Sequence, residues 1–107
     1  ESIVDEDLYQ KFNIEIEDPK YIYEEGHYHI WKEPTPNNIY VAGVDIAEGV
    51  NENASVIQIL DITNLTEIEQ VACYHDNTIS PYNFTTKLLE ILKHWGSPPA
   101  LIESTES

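Results

Sequence analysis

Basic residues are scarce in this chain. Five lysines and arginines stand against twenty aspartates and glutamates in 107 residues, a formal net charge of -15. Such an acid excess repels nucleic acid at long range and argues against a domain that clamps a duplex unaided; a DNA partner would require a basic groove from elsewhere, or metal ions that neutralise the site. Cysteine is almost absent. The single Cys73 excludes an internal disulfide and fits a reducing compartment. Long hydrophobic runs are missing as well: none approaches the roughly 18 residues of a membrane span, and no charged-then-apolar signal segment opens the chain, so no membrane partner is expected. Asn-x-Ser/Thr triplets begin at Asn53, Asn64 and Asn83, and without a secretory signal they read as chance. There is no methionine and the first residue is Glu1, so the chain is expected to be a fragment of a longer polypeptide.

What is present suffices for one modest core. An apolar fraction of 41% is close to that of a globular domain and argues against disorder over the whole length. The acid-rich opening, Glu1 to Pro19, has Leu8, Phe12, Ile14 and Ile16 as apolar anchors, with Asp5 placed to cap a short helix through Phe12. From Tyr21 to Trp31, aromatic and β-branched residues flank Glu25-Gly26, the pattern of a hairpin. His27 and His29 fall on one face of its second strand. They could hold a transition metal only with further ligands, and a half-exposed polar face is the simpler reading. The run Glu33-Pro34-Thr35-Pro36-Asn37-Asn38 is a linker, because two prolines cannot join a ladder. The chain therefore divides into residues 1–38 (acidic segment, hairpin and linker) and residues 39–107 (the core).

The core is organised around Tyr40-Val41-Ala42-Gly43-Val44-Asp45-Ile46-Ala47-Glu48-Gly49. Ile39 to Val44 has the composition of a strand covered on both faces, and Asp45 follows at its carboxyl end, the edge of an α/β sheet where ligands collect. An Asp that merely starts a turn is the bland alternative. Ala54 to Ile62 and Ile68 to His75 are two further strands on short loops, giving an antiparallel meander. Ser80 and Pro81 then open a helix whose apolar stripe is Phe84, Leu88, Ile91, Leu92 and Trp95, closed by Gly96 and Pro98. Ala100-Leu101-Ile102-Glu103 is a fourth strand, again ending on an acid.

A helix between strands lets the fourth strand enter the sheet parallel to an earlier one. If that neighbour is the first core strand, Asp45 and Glu103 lie side by side at the strand spacing of about 4.8 Å. Two such anions repel unless one acid holds a proton or a cation lies between them. An all-oxygen ligand set without thiols favours Mg²⁺ or Mn²⁺ over zinc, with a second ion nearby in a complete phosphodiester-cleaving site. Glu48 and Glu106 are further candidate ligands, each equally readable as a solvated acid.

This order of elements, with its two acids, resembles the ribonuclease H-like fold, and within it the nuclease domain of the large terminase subunit of tailed bacteriophages. Tyr40 to Gly49 with Ala54-Ser55, Asn77-Thr78-Ile79-Ser80 and Leu101-Ile102-Glu103 carry the resemblance. It implies an α/β mixed sheet: a three-strand meander, a helix crossover and a fourth parallel strand, preceded by an N-terminal hairpin and incomplete at the C-terminus. It further implies a divalent-metal-dependent DNA endonuclease that cuts concatemeric viral DNA, with Asp45 and Glu103 as catalytic metal ligands. The partners implied are double-stranded DNA, an ATPase domain of the same parent chain, the portal and the small terminase subunit, in the cytoplasm of the bacterial host. Three departures stand out: Asn53 replaces an acid often found before the Ala-Ser step, Ser104-Thr105 replaces Asn-Gly, and a third acid is expected beyond Ser107. The chain alone is therefore expected to be a poor or inactive nuclease. Val44 to Gly49 also resembles the first phosphate loop of actin-like and sugar-kinase ATPases, although Glu48, Asn51 and Glu52 make a poor anion cradle. A non-enzymatic acidic docking module is the remaining alternative.

Overall fold

The structure, a computed structural model, describes residues 18–23, 26–47 and 54–105. The element order is β1 (Tyr21–Tyr23), β2 (Tyr28–Ile30), β3 (Tyr40–Ala47), β4 (Ser55–Asp61), β5 (Glu69–Asp76), α1 (Pro81–His94) and β6 (Ala100–Thr105). All six strands form one sheet in the order β1-β2-β5-β4-β3-β6. The meander β3-β4-β5 and the hairpin are antiparallel, whereas β6 lies parallel to β3. The expected mixed sheet is therefore present. The helix expected from Asp5 to Phe12 lies outside the described residues.

The Pro-rich linker separates the hairpin from β3 along the chain but not in space. β2 pairs with β5 through Tyr28↔Tyr74, His29↔Cys73 and Ile30↔Ala72, so the hairpin extends the same sheet beyond the meander. The physical reason is that β5 would otherwise present a row of unpaired backbone groups, and Tyr28 and Ile30 bring apolar surface to the face already occupied by Tyr74 and Ala72.

One face of the sheet carries the core. Tyr40, Ala42 and Val44 of β3, Ile57 and Ile59 of β4, Ala72 and Tyr74 of β5, and Tyr28 and Ile30 of β2 pack with Phe84, Leu88, Ile91 and Trp95. Burying each of these larger side chains stabilises the fold by roughly 1.5–3 kcal/mol before entropy is counted. β4 is buried on both faces from Ser55 to Ile59, the pattern expected of β3. In β3 the second face, Val41, Gly43 and Asp45, is only half-buried. The sheet places β4 between two long strands and β3 one position from the edge, which decides which of two similar apolar runs is the better covered.

The helix obeys its sequence signals. Ser80 Oγ accepts a hydrogen bond from Asn83 N at 3.2 Å, and Pro81 occupies the first turn, where no N–H is needed. At the other end Trp95 is the C-cap. Gly96 takes φ 82°, its N–H donating to Lys93 O at 3.2 Å, while Ser97 N donates to Leu92 O at 2.7 Å. These paired bonds satisfy carbonyls that the helix leaves open, and the left-handed position is one that glycine occupies without a Cβ penalty. Trp95 is buried, its indole N–H donating to Tyr28 Oη at 2.9 Å, so the hairpin is tied to the end of the helix.

Short Asx-x-Thr segments shape the turns. In Asp61-Ile62-Thr63, Asn64-Leu65-Thr66 and Asp76-Asn77-Thr78 the first side-chain oxygen accepts from both the Thr N–H and its hydroxyl. The last of these turns delivers the chain from β5 into α1. From there the helix carries it past β4 and β3 to enter the sheet as β6.

Candidate active site

The register of the parallel pair sets Asp45 directly opposite Glu103. Residues paired across adjacent strands point to the same face, and here it is the face away from α1, since Val44 and Tyr40 alternate onto the helix side. Asp45 is half-buried and Glu103 exposed. At a strand spacing of about 4.8 Å the two carboxylates can share a cation. Their mutual repulsion at about 5 Å runs from about 3 kcal/mol at an effective dielectric of 20 to about 1 kcal/mol in water. With Glu103 in solvent the lower figure governs.

Neither acid ends its strand. β3 continues to Ala47 and β6 to Thr105, with Ile46↔Ser104 and Ala47↔Thr105 still in register. The expected strand-terminal acids are thus held two residues inside paired backbone, a more rigid mount than a loop. Glu48, Asn53 and Glu106 lie outside the described residues. Among the described residues no group of three or more His, Cys, Asp or Glu side chains is placed to hold a metal ion. A Mg²⁺ or Mn²⁺ ion fits what is there, because Mg²⁺ is ordinarily held by one or two carboxylates with water and substrate phosphate completing its shell.

Other sequence candidates resolve differently. The His27 and His29 rings are each engaged elsewhere and do not form a metal pair. His27 Nδ1 lies 2.8 Å from His75 O and its Nε2 3.9 Å from Asp76 Oδ2, while His29 Nε2 lies 2.9 Å from Gly26 O. Burial pushes the Cys73 thiol up to about 12, so it is protonated and unsuited to nucleophilic or ligand chemistry.

Asp76 was not singled out by sequence pattern, yet its carboxylate accepts three hydrogen bonds and lies near a histidine. It ends β5 at the same end of the sheet as Asp45 and Glu103, but on the helix face. Burial pushes its carboxyl up. Against that, Thr78 N at 2.8 Å, Thr78 Oγ1 at 2.7 Å, Tyr74 Oη at 3.0 Å and the charge of His27 together hold it below the ordinary carboxylate value of 3.8. Its role is to anchor the β5–α1 turn. The Asp-x-Thr spacing was the available signal.

No family model matches the chain. Several solved structures do share its fold. The large terminase nuclease from thermophilic phage G20c with bound magnesium superposes with a TM-score of 0.66 at 18% identity, over 84% of this chain and 44% of that one. A zinc-bound structure of the same nuclease gives 0.62 at 16%, covering 79% and 45%. The large terminase nuclease domain of Thermus phage P74-26 gives 0.61 at 21%, covering 79% and 43%. This chain therefore spans less than half the length of each. At these identities the likeness establishes the fold, which is ribonuclease H-like.

Proposed function

We propose that this chain is the metal-binding part of a divalent-metal-dependent DNA endonuclease of a viral packaging terminase, with Asp45 and Glu103 as ligands. The observation that carries the proposal is the Asp45↔Glu103 register, two acids on the face of a ribonuclease H-like sheet that turns away from α1. A bound Mg²⁺ or Mn²⁺ would polarise the phosphodiester and make water a stronger nucleophile. The chain's own contribution is positional. β3 and β6 set the two acids side by side at one strand spacing along the backbone, half-burial of Asp45 limits its freedom, and the exposed Glu103 leaves its side of the pair open to a phosphate. Two acids supply only part of an octahedral shell, so cleavage by this chain alone is expected to be weak. Double-stranded DNA, a motor ATPase domain, the portal and the small terminase subunit belong to the same proposal, as does the bacterial host cytoplasm.

Calorimetric titration with Mn²⁺ tests it. Heat of binding and a raised melting temperature are expected for the wild type, and both should vanish in Asp45→Asn and in Glu103→Gln. Absence of heat in the wild type would remove the metal site. The formal charge of -15 favours a second reading, an acidic module that docks on a basic partner. Under that reading the doubly substituted chain keeps its partner.

A further inference from the structure

The strand registers align more than the two acids. Asp45 pairs with Glu103 on one side and with Val56 on the other, and Val56 pairs with His75. Glu103, Asp45, Val56 and His75 therefore form one row across β6, β3, β4 and β5, on the face away from α1, with Val56 buried in the middle and Glu103 and His75 exposed at the two ends. His75 alternates with Tyr74 and Asp76, which both turn to the helix side, and it is exposed. Two strand spacings place it roughly 10 Å from Asp45.

We propose that His75 is a substrate-binding residue that donates to a backbone phosphate of the nucleic acid held at the Asp45–Glu103 pair; this rests on the nuclease reading. Successive phosphates of one strand rise about 3.4 Å along the duplex axis, so a group 10 Å from the acids reaches a phosphate within about three nucleotides of the one they engage. An imidazole carries an N–H donor in either protonation state and gains a charge when protonated.

Charge placement singles it out. Each lysine among the described residues lies at the far end of the sheet or on the helix. Lys20 precedes β1, and Lys32 follows β2 with its ammonium 2.6 Å from Glu69. Lys87 lies 3.1 Å from Glu90 on α1, and Lys93 sits in the last helical turn. Of the histidines near the acid end, His27 and His29 spend ring nitrogens on carbonyl oxygens of the chain. His75 is thus the described basic group on the acid pair's own face and row, in a chain whose acid excess otherwise repels DNA.

The test is binding of a 20-base-pair duplex to the wild type, His75→Ala and His75→Lys over a series of salt concentrations, with Ca²⁺ replacing Mg²⁺ so that the duplex is not cut. Mn²⁺ calorimetry on each protein runs alongside. His75→Ala is expected to weaken binding equally for unrelated sequences and to flatten the dependence of log K on log salt by up to about one. His75→Lys should restore both, and the heat of Mn²⁺ binding should be the same in all three. Unchanged affinity and salt slope in His75→Ala, or a wild type that takes up Mn²⁺ but no duplex, would overturn the role of His75 and leave the metal site standing. Loss of Mn²⁺ binding in the wild type would remove the nuclease reading and this inference with it.

Discussion

Single residues decide more of this fold than their numbers suggest. Asp76 is buried and accepts three hydrogen bonds, two from Thr78 and one from Tyr74. Hydrogen bonds to a charged acceptor contribute about 1.5–3 kcal/mol, and a donor left unpaired inside adds its own cost. Asp76→Ala is therefore expected to destabilise the chain by roughly 2–4 kcal/mol in chemical denaturation. The same carboxyl makes stability depend on pH in a definite direction. Its folded value lies below the ordinary 3.8, so its contribution is fully present above the unfolded value and is lost as pH falls through the folded one. The melting difference between wild type and Asp76→Asn should be constant from neutral pH to about pH 5 and narrow below that. Tyr28 offers a second case. Its hydroxyl accepts from the Trp95 indole at 2.9 Å and lies 3.2 Å from His94 Nδ1. Tyr28→Phe should cost about 1–3 kcal/mol, because a buried indole N–H loses its acceptor while the ring still packs.

At the scale of elements, α1 was the part most open to sequence reasoning, since both its ends are written in local chemistry: Ser80-Pro81 to start it and Gly96 with Pro98 to stop it. Ser80→Ala should cost about 1 kcal/mol. Gly96→Ala should cost about the same, because an L-residue is strained at φ 82° whatever space surrounds it. In a domain of this size each would lower the melting temperature by about 4–8 °C per kcal/mol. Strand β6 is less self-sufficient. Among the described strands it is the sheet's edge beside β3, with Leu101 78% and Ile102 52% exposed on its two faces. Unpaired backbone next to apolar side chains invites strand-to-strand association. Light scattering should show concentration-dependent self-association that Ile102→Lys reduces.

For the whole molecule, the charge of -15 acts as a self-repulsion that salt relieves. The melting temperature is expected to rise between 0.05 and 0.5 M NaCl, and to rise further with Mn²⁺ at equal ionic strength if the acid pair takes up the ion; 100-fold saturation over Kd adds about 2.7 kcal/mol. By itself the sequence determined the elements, because hydrophobic period, caps and turn residues act over a few neighbours: three meander strands, a capped helix, a final strand, and an acid near the carboxyl end of the first and last. It also made the pairing of Asp45 with Glu103 a short step, since a helix crossover admits few positions for a parallel strand. Only the tertiary structure decided what depends on distant neighbours. It placed the hairpin on β5 and not apart from the sheet, covered β4 on both faces while leaving β3 half open, and carried both strands past their acids. It also turned His75 to the face away from α1 and Asp76 to the core. Adjacent residues of one strand acquire opposite environments only when another part of the chain settles on one side, and no local pattern around His75-Asp76 says which side that will be.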